Sequence, residues 1–240
     1  MPNLLQAEIN NNFSHFEQQW PQALTTAIGD LSSEKSHFQV SYTRISSIQA
    51  WRTSIIASMV DESSLAFFFE AQNDLLISHC LARCGSFRQA LKALRSAIEN
   101  VYFSMYYKDH PIELEKWSNG RHKLGFTELT GYFESHPALF GTPKNKTGLD
   151  LLEKEYSTLS KAVHGSAKHF RMTKNLIDIQ LWSSDIQLVG QWASREKCVV
   201  QGLNLLLLNL FSQQLQGAKH RNLREILGIV LTKAMHKWIK

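Results

Sequence analysis

The 240 residues carry 26 Lys and Arg against 21 Asp and Glu, a formal net charge of +5, and are 43% hydrophobic and 20% charged. This describes a soluble chain able to bury a substantial core, either as one large domain or as a smaller one with extensions. Only 5 Pro and 12 Gly speak against a sandwich of short strands, and three cysteines (Cys80, Cys84, Cys198) make no disulfide framework and suit a reducing cytoplasm.

In chain order, the N-terminal stretch MPNLLQAEINNNF has neither a basic start nor a sustained apolar run, so no signal peptide is expected. Residues 1–60 read as a helical extension. Phe13, Phe16 and Trp20 share one helix face before Pro21 interrupts or restarts the pattern. The alternation of Phe38, Val40 and Tyr42 predicts a short extended segment over 38–43, followed by a helix from Ser46 to about Met59. Asp61-Glu-Ser-Ser is a capping-type start for a helix over 63–83 that ends near Gly85. Cys80 and Cys84 lie one turn apart on it, and without a second close ligand pair they read as buried thiols rather than a metal site.

Residues 86–107 form the central helix. Phe87, Leu91, Leu94, Ile98, Val101, Tyr102 and Met105 recur at spacings of three and four, with Ser86 as N-cap. It pairs with the preceding helix as an antiparallel hairpin. Short helices follow over 111–117 and 126–133, then a loop at 140–147. An amphipathic helix over 148–164 stops at Gly165. Residues 176–182 alternate as a short strand. A long helix over 184–216 holds the Leu205–Leu208 patch, and Gln201, Asn204 and Asn209 make that patch too polar for a membrane span. A last helix spans 221–239. The expected architecture is therefore an all-α helical bundle: an extension over 1–60, a bundle over 61–216, and a basic C-terminal helix over 217–240 packed on it.

From Gly217 onward six Lys and Arg stand against the single acid Glu225, a surplus of five that equals the charge of the whole chain. Basicity belongs to this tail, so nucleic-acid binding through Lys219–Lys240 is one reading and a solvated helix flank the commoner one. The remaining histidines lack ligand spacing and no glycine-rich phosphate loop is present, so neither a metal nor a small-molecule cofactor is expected.

Two stretches carry candidate chemistry. On the central helix Arg88, Lys92, Arg95, Glu99 and Tyr106 line up beside the apolar face, a row that is ordinarily a solvated flank with an Arg95–Glu99 pair. In Tyr156-Ser-Thr-Leu-Ser-Lys-Ala-Val-His164-Gly165, Ser160 and His164 lie one turn apart, and His164 sits at a helix C-terminus. The bland reading is a histidine satisfying the last carbonyls, with Ser160 bonding back into its own helix. A Ser160–His164 nucleophile pair lacks an oxyanion hole and a third group.

Together, a helix bearing Arg95 and Glu99 and a later one ending Tyr-x-x-Leu-Ser-x-x-Val-His-Gly resemble the HEPN superfamily over roughly residues 63–216. The resemblance implies an all-helical protein of a phage-defence or toxin–antitoxin system, a homodimer or a partner subunit of a defence complex, and in many members a metal-independent ribonuclease. It also implies an Arg-x4-6-His motif, which this chain lacks: Ser157, Thr158 and Leu159 stand where the arginine would precede His164. The cation would have to come from Arg95 or Arg88, or the domain is inactive and binds something. On the ribonuclease reading His164 moves the proton, Arg95 oriented by Glu99 holds the phosphate, and Lys161, Lys168 and Arg171 steer the RNA.

Overall fold

The computed structural model describes residues 4–164, 171–172, 180–232 and 235. Among them all regular structure is helical: α1 Leu4–Asp30, α2 Lys35–Trp51, α3 Glu62–Arg83, α4 Phe87–Asp109, α5 Pro111–Ser118, α6 Phe126–Ser135, α7 Leu149–His164, α8 Ile186–Leu210 and α9 Arg221–Val230, with short helical turns between some of them. The chain is an all-α bundle. No helix among the described residues is long and apolar enough to cross a membrane.

Local chemistry sets the boundaries. Asp61 holds extended backbone and accepts the Ser64 N–H at 3.0 Å to start α3. Asp185 does the same for α8 through the Gln187 N–H at 2.9 Å. α3 ends in a left-handed Gly85 (φ 77°), whose N–H bonds Ala82 O while Ser86 N–H bonds Leu81 O. Ser86 stands before α4 but makes no side-chain cap bond. Gly85 is further fixed by its neighbour: Ser183 N–H donates to Gly85 O, and a Cβ on Gly85 would lie 2.4 Å from Ser183 O. The hairpin of α3 and α4 is thereby pinned to the segment entering α8.

α8 is the buried centre. Residues 199–209 are enclosed without a break, as expected of a helix apolar on nearly all sides. α2, α4 and α7 pack around it, and α9 closes over α2. Each polar residue that interrupts its leucines bonds another element. Asn204 accepts Trp51 Nε1–H at 2.9 Å and donates to Ser47 Oγ, both on α2. Gln201 donates to Val230 O at the end of α9, and Asn209 to Lys146 O before α7. Near the other end of α8, Glu196 is wholly buried and accepts from the Arg44 guanidinium of α2. Gly202 lets α7 start close by: Gly148 (φ 84°) precedes it, and a Cβ there would lie 2.4 Å from Gly202 O.

The first sixty residues divide in two. α1 is exposed along most of its length and Pro21 lies inside it, whereas α2 enters the core with Phe38, Ile45, Ile48 and Trp51. The extended segment expected over 38–43 is helix. Phe38 is 4% exposed but Val40 and Tyr42 are 53% and 58%, and the inward line runs Phe38, Ser41, Ile45, Ile48. Buried Ser41 and Arg44 complete a helical stripe that apolar residues alone do not draw. α2 starts earlier than the helix expected from Ser46, and a π-type turn, Arg52–Ile56, follows it. Nor are the cysteines a buried set: Cys80 is exposed, Cys84 and Cys198 half-buried. Of the strand expected over 176–182, residues 176–179 lie outside the described residues and 180–182 are irregular. α9 ends at Val230, where Leu231 turns extended.

Burial pushes the Glu196 carboxyl up to about 7 although Arg44 pulls it down. A carboxyl held above its unfolded value binds its proton more tightly when folded, so stability falls as pH rises through the window from about 4.5 to 7. Arg44→Met removes the opposing cation and widens that window. We expect it to cost about 3–5 kcal/mol in urea unfolding at pH 8 and distinctly less at pH 5. Adding Glu196→Leu should remove the pH difference and recover most of the loss.

Candidate functional site

α4 and α7 cross with their polar stripes facing. Arg95 and Glu99, one turn apart on α4, meet Tyr156 and Ser160, one turn apart on α7. Arg95 Nη2 donates to Glu99 Oε1 at 2.9 Å and to the Tyr156 hydroxyl, which donates in turn to Glu99 Oε1 at 2.7 Å. Arg95 Nε donates to Ser160 Oγ at 3.2 Å. The guanidinium also lies 4.6 Å from the centroid of the Tyr156 ring, whose other partner is Phe126 of α6, stacked at 3.5 Å and 9°. Burial first, and then the bond to Glu99, push the Tyr156 hydroxyl up to about 12, so it stays a neutral donor.

Ser160 is occupied at both ends of its hydroxyl. It accepts from Arg95 and donates to Tyr156 O at 2.8 Å, so no proton is left for His164 to remove. The geometry gives the Ser160–His164 nucleophile pair no support. Arg88 is also occupied: Nε and Nη2 bond Ala162 O at 3.0 Å and Val163 O at 3.3 Å, in the last turn of α7. There it meets the negative end of the helix dipole and docks that end onto α4. Between the two arginines open to the ribonuclease reading, Arg95 is the one beside the α7 side chains.

Between α6 and α7 lies a cleft of about 740 Å³. Tyr156 and Ser160 line its α7 wall with Lys161 and His164 beyond them, and Thr130 lines the α6 wall. Arg95 and Glu99 do not line it; they lie behind Tyr156 and Ser160. The end nearer the start of α7 is acidic, with Glu134 and Glu153 bridged by Lys144. Thr130 Oγ1 is buried there without a hydrogen bond, and Thr130 is only 8% exposed. Buried polar atoms of that kind are costly unless something bonds them, which marks this end as able to hold a polar group of a ligand.

Of the expected site residues, the fold therefore gathers Arg95, Glu99, Lys161 and His164 around one helix seam. Arg171 borders a different and very small cleft, with Arg88, Trp192 and Arg195. Lys168 lies outside the described residues. Sequence reasoning missed the Tyr156 hydroxyl as the hub of the polar network, and it did not assign Phe126, Thr130 or Glu153 to the site. The only signal was the i,i+4 match of Arg95–Glu99 to Tyr156–Ser160, which reads as a pair only once the helices are known to cross.

A second polar cluster sits at the far end of α4. Tyr132 OH donates to Asp109 Oδ2 at 2.6 Å, and His136 Nε2 approaches the same oxygen at 3.3 Å. Burial acts to raise the Asp109 carboxyl, but hydrogen bonds from His136, Lys108 and Tyr132 outweigh it and hold the group well below the usual carboxylate range. His136 Nδ1 accepts the Ala138 N–H, so the cluster is internally satisfied. No group of three or more His, Cys, Asp or Glu able to hold a metal occurs among the described residues. No protein-family model matches the chain, and neither the curated proteins nor the solved structures give a match.

Tyr156→Phe keeps the stack on Phe126 but removes the hydroxyl between Arg95 and Glu99. It should cost about 1 kcal/mol by chemical denaturation, because the site is half-exposed. Tyr156→Ala, which also removes the ring, should cost roughly 2–3 kcal/mol.

Proposed function

We propose that the chain is a HEPN-like protein of a phage-defence or toxin system, acting in the cytoplasm, that binds RNA along the α6–α7 cleft and cleaves it without a metal. One observation carries the reading: the Arg95–Ser160 bond brings the central-helix guanidinium to α7 one turn before His164. The unbonded Thr130 hydroxyl in the same cleft supports its being a ligand site. In the reaction the 2′ oxygen attacks phosphorus as His164 takes its proton. The bond to the 5′ oxygen breaks, and the imidazolium returns the proton to that leaving group. Arg95 adds its positive charge from behind the wall formed by Ser160 and Tyr156, whose hydroxyls it bonds, and Lys161 draws in the backbone.

A non-catalytic interaction subunit is the second reading. It is favoured by the three partners that already hold Arg95 behind the cleft wall, and by the missing Arg-x4-6-His spacing. The basic tail is less favoured as a nucleic-acid site, because Arg221 pairs with Glu225 and Arg224 donates to Leu215 O and Gly217 O.

Purified protein should cleave labelled single-stranded RNA in EDTA, and His164→Ala should slow cleavage by about 10²-fold or more. Loss of activity in EDTA, or full activity in His164→Ala, makes the assignment wrong. Absence of any cleavage together with retention of a co-expressed partner selects the second reading.

A further inference from the structure

Two adjoining hollows, each of about 440 Å³, lie along α2 and α8, and Val40, Arg44 and Lys197 border both. Together they form one groove that reaches from the start of α2 to the end of α9. α8 leaves it open, since a Cβ on Gly190 would meet nothing within 4 Å. Small-molecule sites have volumes of this order, about 300–1,000 Å³.

The charges along the groove are one-sided. Among the described residues, no Asp or Glu borders either hollow. Arg44 is only 8% exposed, and it spends Nε and Nη2 on Glu196 Oε2 while Nη1 has no hydrogen bond. Lys197, the residue after Glu196, is exposed and has neither a hydrogen bond nor an ion pair among the described residues. His37 is held by Glu34 at 2.9 Å and is left out of the count. A nearly buried guanidinium with unused N–H groups calls for an acceptor, and a free ammonium beside it calls for an anionic one. Glu196 does not cancel this demand. Only its Oε2 meets Arg44, its Oε1 is buried without a bond, and burial pushes the carboxyl up to about 7, so near neutrality it is partly protonated.

The apolar lining narrows the class of anion. Val40 and Ile229, 53% and 71% exposed, stand in the same hollow as the two cations. One pair of cations suits one phosphate, whereas a nucleic-acid strand is tracked by a row of them. We propose that this groove binds a small phosphate ester, with the phosphate on Arg44 Nη1 and Lys197 Nζ and the organic part against Val40 and Ile229. The Ser194 hydroxyl, one turn before Lys197 on α8, borders the groove and adds a donor. A soluble ester and a phosphorylated lipid headgroup share this chemistry, and the test separates them. The inference is independent of the reading of the α6–α7 cleft.

The test is calorimetric titration of the full chain with phenyl phosphate, inorganic phosphate and phenol. Phenyl phosphate should bind at a single site, about 10-fold tighter than inorganic phosphate, and phenol should give no heat. Lys197→Glu, at an exposed position, should keep the far-ultraviolet dichroism and weaken phenyl phosphate by about 10-fold or more. Ile229→Asp should weaken phenyl phosphate and leave inorganic phosphate nearly unchanged. Arg44→Met with Glu196→Leu, in which the buried pair is removed together, should stay folded and lose binding. Lys161→Ala, in the other cleft, should bind as wild type does. Flotation with phosphatidic acid vesicles that is lost in Lys197→Glu assigns the ester to a lipid, and phenyl phosphate binding without flotation assigns it to a soluble molecule. Absence of phenyl phosphate binding by wild type overturns the proposal. So does binding that survives Lys197→Glu and the double variant, or that is lost in Lys161→Ala.

Discussion

A helix enclosed over residues 199–209 offers its polar side chains no water, so each must find its partner on whatever packs against it. In α8 that requirement becomes a docking code. Asn204 is satisfied only where Trp51, from which it accepts, and Ser47, to which it donates, arrive together on α2; Gln201 requires the end of α9, and Asn209 the turn before α7. The leucines between them supply most of the burial but fit many neighbours equally well. The amides do not, because a wrong register leaves a buried donor or acceptor without a partner, at about 1–3 kcal/mol each. The buried Arg44–Glu196 pair adds the same kind of selectivity, and adds less to net stability than its contacts suggest.

The α4–α7 seam is a second polar interface with different consequences. It is only partly buried, with Arg95 and Glu99 about a quarter exposed, so its ions remain within reach of water and of a ligand. Tyr156 ties it together through its hydroxyl, while its ring stacks on Phe126 and carries α6 with it. The same contacts that hold the helices therefore shape the cleft. A ligand entering there meets Tyr156 and Ser160, with the Arg95–Glu99 pair behind them.

α1 stands apart because its burial stops partway along. From Ala27 inward it belongs to the bundle, and beyond Trp20 the same stripe leaves the body. Cys80 on α3 is likewise exposed where a core position was expected, since the hairpin turns that edge outward. Neither fact is visible from periodicity, which ranks faces of a helix but does not say whether a neighbour covers them.

Periodicity and punctuation by themselves determined the helical class, the α3–α4 hairpin, the stop at Gly85, and the buried character of the leucine-rich α8, because each depends on contacts within a few residues. Where buried polar residues complete a face, as Ser41 and Arg44 do in α2, the apolar pattern misleads and alternation at Phe38, Val40 and Tyr42 mimics a strand. Arg95 and Glu99 were legible as a pair on one helix, and Tyr156, Ser160 and His164 as a row on another. Only the crossing of α4 with α7 decided that these rows meet, that Arg88 docks a helix end while Arg95 joins the seam, and that Tyr156 is its hub. Residues some sixty positions apart are brought together by how α8 sets the helices around it, and no local signal encodes that distance.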